Sequence, residues 1–318
     1  MPKYHPPDAM VSPRICGVRT FMKLPHVVTT EDIDFAIVGI PFDTGATYRV
    51  GARFGPEAIR AGSTMLRPFN GILGVDIFEH LSGVDYGDVP VVPGDIQASY
   101  DTIVDGLSPL VDAGVTTIGL GGDHSITLAE LRAISRKHGP LGMVQIDAHP
   151  DTWKGHWGQR YNHGTVFRRA TEEGILDPSR VIQVGMRGSI YGWEDYEQSR
   201  QLGMELIPMH EVRDMGLPAV IQRMKDRVQD GPTFLTFDID SLDPVYAPGT
   251  GTPEVGGFTS HEGLSLVRGL TGIDFVGADL VEVLPAYDHA EVTAMTAANV
   301  IFEFLSLLAL RKKERSGK

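Results

Sequence analysis

Residues 233–240 read TFLTFDID. The first five side chains are apolar or β-branched, so a strand here has no face fit for water and must lie between two layers. It ends on two aspartates one residue apart. FAIVGI at 35–40 has the same two-sided apolar character. Outward from these, short runs of the same kind predict strands at Phe35–Ile40, Gly83–Asp88, Thr116–Leu120, Met143–Asp147, Val181–Met186, Glu205–Met209, Phe234–Asp238 and Phe275–Val281. Amphipathic segments of 3.6 periodicity lie between them, at Pro56–Leu66, Tyr100–Ala113, Ile126–Lys137, Pro218–Val228 and Thr293–Arg311. Eight strands alternating with helices give an α/β domain of three layers around a parallel sheet.

The 318 residues are 42% hydrophobic and 22% charged, which supports a large core and excludes disorder as the main state. A net charge of −13 disfavours phosphate backbones and anionic membranes, so neither nucleic acid nor a membrane is expected as a partner; a small cation suits it better. The one cysteine, Cys16, excludes an intrachain disulfide and a structural zinc finger. No apolar run marks a signal peptide or a membrane span, and the expectation is a cytoplasmic protein. Residues 31–318 read as a single domain. The Pro-rich residues 1–30 read as an arm on the body or on a neighbour.

Three segments place His or Asp where a buried strand ends: Gly121-Gly122-Asp123-His124-Ser125, Asp147-Ala148-His149-Pro150-Asp151 and Asp238-Ile239-Asp240. In open α/β sheets such positions face one crevice beyond the carboxyl ends of the strands. Leaving out Asp123, which can organise its own turn, the set holds two imidazoles and four carboxylates. Four carboxylates sharing a site cannot all ionise without counterions, and two divalent cations cancel their charge. Imidazole and carboxylate donors without thiolate suit manganese, iron, nickel or zinc, and a bridged pair about 3.5 Å apart activates water for attack. Taken singly the segments are weaker. An Asp-x-Asp at a strand end also caps helices or binds one magnesium, and TFDIDSLD alone resembles the nucleophile loop of haloacid-dehalogenase phosphatases.

Together, GGDHS (121–125), DAHPD (147–151), TFDIDSLDPVYAPGTGTPEVGG (236–257) and GARFGPEAIR (51–60) resemble the ureohydrolases, the family of arginases and agmatinases, over roughly residues 14–310. The resemblance implies a three-layer α/β/α fold with an eight-stranded parallel sheet, a trimer or hexamer, and two divalent ions, manganese first and nickel second. It implies His124, Asp147, Asp151 and Asp238 on one metal and Asp147, His149, Asp238 and Asp240 on the other. Asp147 and Asp238 would bridge. His163 corresponds to the family's proton-shuttling histidine and Glu282 to the carboxylate that clamps a guanidinium. The implied activity is hydrolysis of a small guanidino compound to urea and an amine.

The chain departs from common members in the loop 152–163 and the loop 284–291. Trp153 stands where many relatives carry Asn, and Leu284 where many carry Ser, which makes the pocket bulkier and less polar. The segment GQRYNHG (158–164) resembles proclavaminate amidinohydrolase and guanidinobutyrase more than arginases. Arg160 is a candidate for binding a substrate carboxylate, whereas His156 reads as a surface residue without a role. Agmatine and 4-guanidinobutyrate are the expected substrates, with guanidine, alkylguanidines or biguanides as the alternative. A non-catalytic subunit of a hetero-oligomer is the competing class, which a missing ligand would mark; none is missing.

Overall fold

The computed structural model describes residues 2–317. Its main sheet has eight strands: β1 (Phe35–Gly39), β2 (Gly83–Asp88), β3 (Thr116–Leu120), β4 (Leu141–Ile146), β5 (Leu176–Met186), β6 (Glu205–Pro208), β7 (Thr233–Asp238) and β8 (Phe275–Val281). Their order is β2-β1-β3-β8-β7-β4-β5-β6, and every neighbouring pair is parallel. The helices of seven residues or more are α1 (Gly55–Gly62), α2 (Ile96–Asp112), α3 (Thr127–His138), α4 (Val166–Glu172), α5 (Glu194–Gln201), α6 (Met209–Met215), α7 (Leu217–Val228), α8 (Ser260–Gly269) and α9 (Val292–Arg315).

The two-sided apolar strands make two cores. In β1, Phe35 and Ile37 enter one buried cluster while Ala36 and Val38 enter the other, as the period of two requires. The first cluster takes Val220 and Met224 of α7, Leu266 and Val267 of α8, and Ile301 and Phe304 of α9. The second takes Ile103 and Leu107 of α2, Leu131 and Ile134 of α3, and Phe167 and Ala170 of α4. Each such Val, Leu, Ile, Met or Phe side chain, fully withdrawn from water, contributes about 1.5–3 kcal/mol. Helix starts are fixed locally: Asp95 accepts from Ala98 N ahead of α2, and Thr259 and Glu262 form a capping box on α8.

The expected strands all form. β4 and β5 begin earlier than expected, at Leu141 and Leu176, through a register slip between Leu141 and Met143. A two-residue antiparallel pair, Phe69–Asn70 with Val75–Asp76, was not expected. Helix α9 is apolar and long enough to cross a membrane, but 67% of its apolar window is buried in the fold, so its apolar length serves the core.

The segment read as an arm lies on the body. Residues from Thr20 onward are built into it: Phe21, Met22 and Leu24 are buried, Phe21 N donates to Asp85 Oδ2, and Pro25 O accepts from Asp85 N of β2. These apolar side chains join the core beneath α1, so residues 20–25 pack with the body that follows them. Residues 2–19 are exposed or half-buried, and exposed positions recur at His26, Val28, Glu31 and Asp32.

Candidate metal centre

The strand order places β3, β8, β7 and β4 side by side, so the loops at their carboxyl ends meet over the middle of the sheet. β3 leads into Gly121-Gly122-Asp123-His124, β8 into Glu282, β7 ends at Asp238, and β4 leads into Asp147. The glycines are required by close approach. A Cβ on Gly122 would stand 2.1 Å from Phe42 O and 2.7 Å from Ile40 O. Asp123 N donates to Phe42 O, and Gly122 O accepts from Glu282 N, which ties the His124 loop to two neighbours.

Around His124 the atoms face one point. Its Nδ1 is buried without a hydrogen-bond partner and lies 2.9 Å from Asp151 Oδ2, 3.2 Å from Asp147 Oδ2 and 3.2 Å from Asp238 Oδ2. A second group lies beside it: His149 Nδ1 is 3.1 Å from Asp240 Oδ2 and 3.8 Å from Asp147 Oδ1. His124, Asp147 and Asp151 can therefore share one ion, and Asp147, His149 and Asp240 another, with the two oxygens of Asp147 pointing to different groups. All six residues that the sequence singled out as ligands come together here.

The electrostatics ask for cations. Burial, then the charges of Asp240 and Asp151, push the Asp147 carboxyl up to about 6. Burial, then Asp240 and Asp147, push Asp238 well above the carboxylate range. Burial alone would lower the two imidazoles, but the carboxylates around them prevail, raising His149 to about 10 and His124 well above its ordinary value. Asp240 is held low despite its burial by His149 and Arg187. A site whose carboxylates must borrow protons from one another fits divalent ions in hard oxygen and nitrogen coordination.

Supporting contacts orient the cluster. Gln145 Nε2 donates to Asp147 Oδ2 at 2.6 Å, His149 N donates to Asp147 Oδ1 at 2.7 Å, and Asp240 N donates to Asp238 Oδ1 at 2.9 Å. Gln183 Nε2 in turn donates to Gln145 Oε1 at 2.6 Å. Asp151 and Glu282 both have left-handed backbones, φ 51° and 63°, a conformation that costs non-glycine residues about 1–3 kcal/mol and that the surrounding bonds must hold. Sequence reasoning missed Gln145, Gln183 and Thr236; the available signal was a polar residue inside an otherwise apolar strand.

Glu282 and His163 form a pair beside the cluster. Glu282 Oε1 accepts from His124 N at 3.0 Å and lies 2.9 Å from His163 Nδ1, while its Oε2 is buried without a partner. On the other side of the ring, Thr47 N and Thr47 Oγ1 lie 3.1 Å and 2.7 Å from His163 Nε2. Burial disfavours the charged ring, but the hydrogen bond and charge of Glu282 outweigh it and raise His163 to about 9.

A cavity of about 140 Å³ opens beside His163 and over Asp151, Asp238 and His149, with Thr47, Trp153 and His156 also in its lining, while Glu282 is buried next to His163 and is not itself in that lining. Trp153 stacks on His156 with centroids 4.7 Å apart and meets Tyr191 edge to face at 5.5 Å. His156 is thus part of the wall, contrary to the sequence reading, because the chain folds back at residues 155–159 and brings its ring against Trp153. Arg160 lies apart from that wall. It is exposed, its Nη2 bonds Glu172 Oε2 at 2.8 Å, and it does not line the cavity. Leu284 is buried beneath the loop rather than on the cavity wall. A larger cavity, about 530 Å³, lies between residues 5–14 and 66–79, and among its lining residues there is no comparable His and Asp cluster.

A model of the arginase family matches residues 33–306. The chain is 44% identical over 303 residues to the mitochondrial agmatinase of Gallus gallus, covering 95% of this chain and 89% of that one. It is 42% identical over 299 residues to guanidinobutyrase of Pseudomonas aeruginosa, covering 93% and 94%. The solved structure of proclavaminate amidinohydrolase from Streptomyces clavuligerus superposes with a TM-score of 0.90 at 38% identity, covering 94% and 99%.

Proposed function

Since this chain belongs to the arginase family, we propose that it hydrolyses a small guanidino compound to urea and an amine with two divalent metal ions. The observation that carries this reading is the pair of His and Asp groups sharing Asp147, with the Glu282–His163 pair alongside. His124, Asp147, Asp151 and Asp238 would hold one ion, and Asp147, His149, Asp238 and Asp240 the other. The donor set favours manganese, with nickel also suited.

Held by these residues, two divalent ions would neutralise the carboxylates and would supply an acidified water for attack on the guanidinium carbon. The residues do the rest. Glu282 Oε2, free of protein partners, accepts N–H groups of the planar cation and fixes its carbon over the cluster. His163 carries a proton at neutral pH and gives it to the departing amine, leaving urea.

The names of the relatives favour an unbranched guanidine with a short tail, agmatine or 4-guanidinobutyrate. A second reading has support of its own. The cavity is well below the roughly 300–1,000 Å³ of drug-sized sites, has an aromatic wall, and has no Lys or Arg in its lining for a tail carboxylate. Guanidine, alkylguanidines or biguanides suit such a wall. Urea release from arginine, agmatine, 4-guanidinobutyrate, guanidine and methylguanidine, under manganese and under nickel, tests both readings. Arginine should be poor, since Trp153 occupies room that its head group needs. No urea from any of them would favour a non-catalytic subunit. A homotrimer or hexamer in the cytoplasm completes the proposal, supported by the free, exposed Cys16 and by a surface arm available to a neighbour.

A further inference from the structure

Beneath the metal cluster, one row of the sheet is polar or bare where its neighbours are apolar. Gly119, Asp279, Thr236, Gln145 and Gln183 are successive register partners across β3, β8, β7, β4 and β5. The glutamines end on Asp147. The other half ends on an acidic pair, Asp279 and Glu130 of α3, which the reaction described above does not use. The Glu130 carboxyl fills the space above Gly119, where a Cβ would stand 2.3 Å from its Oε1. Both residues are buried, and Glu130 Oε1, Glu130 Oε2 and Asp279 Oδ1 have no donor.

We propose that Glu130 is a neutral carboxylic acid that donates its proton to an ionised Asp279, and that this pair acts through Thr236 to hold His124 with Nδ1 bare for metal. Two carboxylates facing one another away from water cannot both be charged. Hydrogen bonds to the charged form decide which keeps the charge. Asp279 Oδ2 accepts from Thr127 Oγ1 at 2.5 Å and has Thr236 beside it in register, whereas Glu130 has no donor. Burial and the charge of Asp279 push Glu130 well above the usual range; burial raises Asp279 as well, but His124, Thr127, Thr236 and Glu130 pull it back down, so Glu130 is the one that takes the proton. Asp279 and His124 are the titratable groups that act on it. Thr236 Oγ1 lies 2.8 Å from His124 Nε2. Accepting the Nε2 proton, Thr236 turns its own proton to Asp279, and the imidazole is fixed in the tautomer a metal needs. Glu130 is a positioning residue, and its role rests on the metal reading of the site.

Glu130→Gln keeps the shape and presents an amide N–H to Asp279; Asp279→Asn removes the anion. The full-length protein loaded with manganese is compared in all three forms. The parent should show an infrared carbonyl band of a protonated carboxylic acid at neutral pH, and Glu130→Gln should lack it. Glu130→Gln should bind manganese within about threefold of the parent, while Asp279→Asn should weaken one site by about 10- to 100-fold in chelator competition. A carboxyl raised in the folded state loses stability as pH rises above the ordinary carboxylate range, so the melting-temperature gap of Glu130→Gln over the parent should widen from about pH 5 to pH 8. A merely space-filling role leaves that gap flat. Unchanged infrared spectra, a flat gap, or a loss of metal in Glu130→Gln equal to that of Asp279→Asn would overturn the proposal. A parent that takes up fewer than two ions defeats the binuclear reading instead, and the band and the gap still decide the protonation of the pair.

Discussion

Replacing Glu282 by Gln separates the two tasks of that side chain. Gln keeps a carbonyl for the donors now on Oε1, His124 N and His163 Nδ1, and puts an amide where Oε2 has no partner, so the fold should survive with two metals bound. Two losses follow. Charge-assisted hydrogen bonds to the guanidinium are worth about 1.5–3 kcal/mol, or about ten- to 150-fold in KM. His163 stands near 9 against its burial because of Glu282, and without that charge it returns to the ordinary 6.5 or below. At pH 8 its protonated share then falls from about 90% to about 3%, roughly 30-fold in kcat, and the combined loss in kcat/KM is about 300- to 5,000-fold. Urea release followed from pH 6 to pH 10 should show the alkaline limb near pH 9 in the parent and near pH 6.5 or lower in the variant. Stability carries the same sign. A histidine raised on folding stabilises fully below about pH 6.5 and loses that contribution as pH climbs through about 9, so the parent's advantage over the variant should fade in that window. An alkaline limb that stays at pH 9 in Glu282→Gln would refute the coupling of the two residues.

His163→Ala should leave both metals bound, by elemental analysis, and lower kcat by about 10² to 10⁴, the range of a positioned acid. Loss of metal would make it a ligand. Arg160→Ala should leave KM for guanidino acids unchanged within about twofold, because its guanidinium is exposed and bonded to Glu172, an exposed pair of the kind worth little. Light scattering at micromolar concentration should return at least three times the single-chain 34.6 kDa, and a monomer would count against an arm that packs on a neighbour.

The sheet was legible because its strands are apolar on both faces and end on polar residues, a pattern no helix shares. TFLTFD forms β7, and Asp238 at its end and Asp240 in the turn that follows sit where that reading put them. The ligands were legible because each segment follows a strand. What escaped the sequence has physical causes. Helix α5, EDYEQSRQ, is almost wholly polar and gives no apolar period, and α4 and α6 are too short to show one. The supporting row from Gly119 to Gln183 depends on which strands are neighbours, which periodicity along the chain does not encode. The positions of His156 and Arg160 were not legible for the same reason, since a loop's side chains are aimed by their contacts: Trp153, itself against Tyr191, for the one, and Glu172 for the other.

Metal stoichiometry tests the central claim most directly. Elemental analysis of the purified protein, before and after stripping and reloading with manganese, should give two ions per chain with urea release lost and regained in step. Asp147→Ala should lower occupancy at both sites, because its two oxygens face His124 on one side and His149 on the other. One ion per chain, or undiminished urea release from fully stripped protein, would contradict the account.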